Sequence, residues 1–173
     1  MSVDVEDWFQ VQAFAGIIQR SSWDSLESRV VANTERVLEQ FAAAGVHATF
    51  FTLGWVAERH PALVRRIVEA GHELASHGHG HEQVNVIGET AFRADIRRAK
   101  QVLEDAGGVP VAGYRAPTFS IGARITPGRM RCWRKRVIAT VPLSFPFATI
   151  FMARPTHRAG RIAHAPMAWW SCR

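Results

Sequence analysis

Residues 46–53 read Val-His-Ala-Thr-Phe-Phe-Thr-Leu, closed on either side by Gly45 and Gly54. A run this short, rich in β-branched and aromatic residues and without polar alternation, suits a strand covered on both faces. Strands of that kind belong to parallel sheets, whose crossovers must be helices, so the flanking sequence should be helical on both sides. It is. Upstream, Leu26, Val30, Val37, Leu38 and Phe41 recur at helical spacing and predict a helix over 25–44, stopped by Gly45. Downstream, 55–70 predicts a second helix that Pro61 restarts after a bend and Gly71 ends.

The pattern then repeats. Residues 72–76 read as a strand, 89–105 as a helix with Ile96, Ala99, Val102 and Leu103 on one face, and 111–114 as another short strand. With 2–5 as the first strand, strands and helices alternate throughout, which predicts an α/β fold with a parallel sheet or barrel. In such folds reactive side chains gather where strands end at their carboxyl termini. Three of the four predicted strands end in such residues.

After the first comes Asp4-Val5-Glu6-Asp7, followed by Trp8 and Phe9. These acids suit either a solvated turn or helix cap, or a general base next to a carboxylate that holds a cation. After the third comes Ser76-His77-Gly78-His79-Gly80-His81-Glu82. Two histidines four apart can reach one metal if glycines let the loop wrap, which makes His77 and His81 the candidate ligands. His79 points between them and His72, inside a strand, reads as structural. After the fourth comes Gly113-Tyr114-Arg115-Ala116-Pro117, and Arg115 can grip a carboxylate through two parallel hydrogen bonds.

Taken in order, SVDVEDWF, GHELASHGHGH and YRAPTFS resemble the first three motifs of the metal-dependent polysaccharide deacetylases of the NodB-homology family, in wording nearest its exosortase and exopolysaccharide branch. The resemblance covers residues 2–122. It implies an incomplete NodB-type (β/α) barrel of the glycoside hydrolase/deacetylase kind, and a hydrolase that removes N-acetyl groups from an amino-sugar polysaccharide or oligosaccharide. It implies Asp4 as catalytic base, Arg115 as the residue that orients it, and His77 and His81 as ligands of a divalent cation, most simply Zn2+. Many relatives carry two adjacent aspartates where this chain has Asp4-Val5, so the acidic ligand is Glu6 or Asp7. Strand alternation favours Glu6, on the same side as Asp4.

Residues 124–173 do not continue this pattern. They hold ten Lys and Arg and no acid, which leaves 11 basic and all 15 acidic residues in 1–123. The net charge of +6 is therefore a front of −4 joined to a tail of +10, and it is no argument for a nucleic-acid partner. Two domains of unlike character follow: a partial deacetylase domain over 1–123 and a basic, apolar tail over 124–173. The tail lacks the Leu-x-His motif that supplies the family's general acid, and also the tryptophan-bearing segment of its acetyl pocket. His157 and His164 stand in neither context, and Cys132 and Cys172 form no framework. Regrouping the bases one position earlier makes 125–173 compatible with HxWAxAVLAEAGYRYSSSVFP and an onward family-like peptide, as a frameshift near 123–126 would produce.

The uncharged run 137–153 is short for a membrane span and is broken by Pro142 and Pro146, so membrane association is not expected. The basic cluster 131–136 sits in no nucleic-acid fold. The first eight residues hold three acids and no apolar run, which reads as cytoplasmic. The expected activity of the chain is low. Its rivals are a catalytically inactive remnant, in which the histidine loop is a vestige, or a metal-binding module, and another metal amidohydrolase acting on small amides.

Overall fold

A computed structural model of the protein describes residues 1–121. The boundary near 123, the out-of-frame reading of 125–173, the apolar run 137–153, the basic cluster 131–136, His157, His164 and both cysteines lie outside the described residues.

Four parallel strands alternate with helices: β1 (Ser2–Val5), α1 (Val30–Ala44), β2 (Thr49–Thr52), α2 (Gly54–Arg59), α3 (Pro61–Glu69), β3 (Glu73–Ser76), α4 (Glu89–Gly107) and β4 (Gly113–Tyr114). The sheet order follows the chain, β1-β2-β3-β4, with Asp4 beside Phe51, Phe51 beside Ala75, and Ala75 beside Gly113. Each crossover is helical, as parallel pairing requires.

Alternation sorts the side chains. On one face Val5 and Phe50 meet Val30 and Leu38 of α1, Val56 of α2, and Leu63 and Ile67 of α3. Leu74 packs with Val64 of α3, Leu103 and Ala106 of α4, and Val111, while Tyr114 packs with Phe92 and Ile96 of α4. Phe50, Ile67 and Leu103 are wholly buried, each contributing roughly 2 kcal/mol relative to exposure. On the other face β1 presents Ser2 and Asp4, beside Phe51 of β2, and Arg115 reaches them from just beyond β4.

The element order agrees with the sequence reading, and Pro61 does restart the helix as the first residue of α3. Boundaries differ. The helix expected over 25–44 begins only at Val30, because 20–25 form a 3-10 turn that closes at Leu26 and a distant carboxylate, Asp7, caps the new start. The strand expected over 46–53 pairs only across Thr49–Thr52, with Ala48 N–H donating to His72 Nδ1 at 3.3 Å just before β3. Among the described residues no helix is long and apolar enough to cross a membrane.

Candidate active site and metal centre

Because β1 is extended, Ser2 and Asp4 share a face opposite Val5, and both meet the same partner. Arg115, one residue beyond β4, donates from Nη1 to Asp4 Oδ1 and from Nη2 to Ser2 Oγ at 2.7 Å. Its guanidinium lies over the Phe51 ring at 4.0 Å. Arg115 is buried, and its fixed guanidinium aims the Asp4 carboxylate.

One step past β1, Glu6 meets the histidine loop. A carboxylate oxygen of Glu6 and one ring nitrogen each of His77 and His81 all lie within 4.8 Å of one another. His77 Nδ1 is 2.8 Å from the Arg115 carbonyl oxygen. A carbonyl only accepts, so Nδ1 carries the proton and Nε2 keeps its lone pair toward the cluster. Burial lowers the pKa of His77 and the neighbouring His81 adds to this, against the opposing pull of Asp4 and Glu6, so the imidazole is neutral at neutral pH, the form that binds metal.

Glu6 shows the converse balance. Burial alone would raise its carboxyl, but His81 and His77 outweigh it and the pKa is lowered. Its Oε2 is 2.9 Å from His81 Nε2, yet buried without a hydrogen bond of proper geometry. Such an oxygen facing a ring nitrogen calls for a positive charge between them, a proton or a metal ion. Two imidazoles and one carboxylate make a donor set that fits a divalent cation.

Asp7 lies apart from this cluster. Almost fully buried, it accepts from Trp8 N–H at 3.0 Å, from Ser28 Oγ at 2.6 Å, and from the Arg29 and Val30 N–H groups at 3.1 and 3.4 Å. Its lone pairs serve two helical starts, and it stands outside the cluster that Glu6 forms with His77 and His81. His79 turns toward Glu58 Oε1 at 3.2 Å, away from the two ligand rings. His72 is buried against Phe50 with ring centroids 4.8 Å apart, at the start of β3 rather than its site end.

Three contributors escape sequence reasoning. Ser2 supplies the second acceptor for Arg115, Glu58 takes up His79, and Asp95 of α4 accepts from the N–H groups of His79 and Gly80 at 2.9 and 3.1 Å. Glu58 and Asp95 stand in no motif and Ser2 only opens the first one, so the folded topology alone assigns the three their places.

A family model described as polysaccharide deacetylase matches residues 22–128, more than half of the chain. The match takes in His77, His81 and Arg115 but not Asp4 or Glu6, whose membership of the site rests on geometry. A peptidoglycan-N-acetylglucosamine deacetylase of Bacillus cereus is 34% identical over 86 residues, 50% of this chain and 29% of that protein. A chitooligosaccharide deacetylase of Sinorhizobium fredii is 42% identical over 71 residues, 41% of this chain and 30% of that protein. The match thus spans less than a third of the length of either relative. The solved structure of a family 4 carbohydrate esterase from Streptomyces lividans in complex with acetate superposes with a TM-score of 0.54 at 26% identity, over 62% of this chain and 55% of that one. The shared α/β fold, the ordered motifs and the matched span agree: this chain belongs to the polysaccharide deacetylase family.

Proposed function

We propose that this chain carries the base and the metal-binding part of a carbohydrate N-deacetylase acting on N-acetylated amino-sugar polymers, an exopolysaccharide among them. The observation that supports it most is convergence: Glu6, His77 and His81 form one donor cluster, and Arg115 holds Asp4 next to His77. Glu6, His77 and His81 would hold the cation. When bound, a divalent metal such as zinc supplies Lewis acidity toward an acyl oxygen and acidifies water.

The remaining work falls to the chain's own residues. Asp4 takes the proton from the attacking water as general base, and Arg115 orients it by occupying one of its oxygens. Ser2 and Phe51 fix Arg115, so the base cannot swing away. His77 stays neutral and holds its donating nitrogen toward Arg115 O, which ties the ligand and the base-orienting residue into one unit. The names of the Bacillus and Sinorhizobium relatives support N-acetylglucosamine polymers as the substrate class.

Turnover by this chain is expected to be low. Residues 124–173 offer no Leu-x-His to protonate the departing amine, and we read them as an out-of-frame tail on a deacetylase unit over 1–123. The nucleotide sequence of the gene tests the frame directly: codons with no family-like reading one base earlier would refute it.

The metal reading is tested by zinc titration calorimetry. Glu6→Ala, His77→Ala and His81→Ala should each weaken zinc binding by at least about tenfold, and equal affinity in all three variants would defeat the assignment. Acetate release from chitin oligomers separates the enzyme from a binding remnant. Slow release abolished by Asp4→Asn supports the enzyme, whereas tight zinc binding with no release identifies a metal-binding module and the absence of zinc affinity a remnant.

A further inference from the structure

The two ligand histidines are joined by a three-residue bridge, Gly78-His79-Gly80, whose path decides whether their rings can meet. That path is strained. Gly78 has φ 82° and His81, a residue with a full side chain, has φ 55°, so the loop needs outside support to keep this shape. Support comes from two sides. The carbonyls of Gly78 and His79 accept from the N–H groups of Gly54 and Trp55 at 2.9 and 3.0 Å. The N–H groups of His79 and Gly80 both donate to one carboxylate, that of Asp95, through Oδ2 at 2.9 Å and Oδ1 at 3.1 Å.

Asp95 belongs to α4, an element that contributes no ligand, and its carboxylate sits directly against the bridge. A methyl group at Gly78 would stand 2.8 Å from Asp95 Oδ2, so the glycine and the acid fit one another. Both oxygens are engaged by consecutive backbone donors, which fixes the rotation of those two peptides and with it the direction of the side chains at either end.

We propose that Asp95 is a positioning residue for the metal centre: through the backbone of the bridge it holds His77 and His81 in ligand geometry before a cation arrives. This rests on the reading of His77 and His81 as ligands. An asparagine in its place keeps one acceptor but turns an amide toward the second N–H, donor against donor, whereas an alanine removes both acceptors. Ligand geometry should loosen in that order.

The test uses the full chain and two metals alone, Zn2+ by competition with a chromophoric chelator and Co2+ by its visible spectrum, with the folded fraction of each variant fixed by circular dichroism. Zinc affinity per folded molecule should fall by about 10- to 100-fold in Asp95→Ala, the range known for groups that orient ligands, and by less in Asp95→Asn. The cobalt bands should weaken or shift in both. His77→Ala is measured beside them. If it abolishes zinc binding while Asp95→Asn and Asp95→Ala bind zinc and cobalt as the parent does, Asp95 is only structural and the proposal is overturned, with the ligand assignment intact. If His77→Ala also binds like the parent, the ligand reading falls and the proposal falls with it. Should Asp95→Ala not fold, the asparagine variant carries the same decision.

Discussion

At the scale of single residues, two neighbouring carboxylates do unlike work. Glu6 faces His81 with an oxygen that lacks a hydrogen bond, and Asp7 spends its oxygens on backbone donors. Asp7→Ala should therefore lower unfolding free energy by roughly 2 kcal/mol or more, since it removes a cap and leaves buried N–H groups unpaired. Urea denaturation would show this, with zinc affinity per folded molecule nearly unchanged. Glu6→Ala should do the reverse. Arg115→Lys keeps the charge, but one ammonium cannot reproduce the fork that reaches Asp4 and Ser2 or its stacking on Phe51. Acetate release should drop at least about tenfold, with zinc affinity retained; equal release would mean that Asp4 needs no orientation. In the sequence, histidine spacing picked out His77 and His81, the family resemblance picked out Asp4, and strand alternation favoured Glu6, and the structure draws Glu6, His77 and His81 into one cluster. The role of Asp7 was legible only in part: the helix cap that the acids suit is made to Trp8, with Gln10 completing it, whereas the bonds from Ser28, Arg29 and Val30 come from more than 20 residues away and no local pattern marks them.

At the scale of elements, the sequence pattern and glycine stops placed the four strands and the α-helices between them in the right order but not the short 3-10 turns, and ends were displaced wherever tertiary contacts decide them. Leu26 fits the helical stripe of α1, yet it terminates a 3-10 turn because the cap for α1 comes from Asp7 rather than from its own flank. β4 pairs over only two residues since Val111 instead turns into the core under α4, where Glu104 accepts its N–H at 2.8 Å. The packing of α2 on α4 has a sharp test in Gly54. A methyl group there would lie 2.8 Å from His79 Cδ2 and 3.0 Å from Ala99 Cα, backbone that has little room to retreat. Gly54→Ala should cost about 1–3 kcal/mol by overpacking, and should disturb His79 on the way. Thermal unfolding at neutral pH measures the first effect and the histidine proton spectrum the second.

At the scale of the whole molecule, charge and acid response follow from burial. The pKa of His77 is lowered chiefly by burial, and that of His72 by burial and by the nearby His47. As pH falls below about 6.5 the unfolded chain takes up protons that these native sites resist. Stability of the metal-stripped protein should therefore be full above that pH and decline as acid is added, with Glu6, whose pKa is also lowered, extending the loss at lower pH. Melting temperatures from pH 8 to 5 would trace it, and His72→Gln should flatten the curve; a flat parent curve would contradict the burial account. A last consequence lies in Arg115 and Asp4. The first and fourth strands are three interstrand spacings apart, about 14 Å in a flat sheet, beyond the joint span of both side chains. Their contact therefore requires the sheet to curl into a trough, and it works as a tie rod across the mouth: let it go, and the arch is free to spread, carrying the acids of one bank away from the imidazoles of the other.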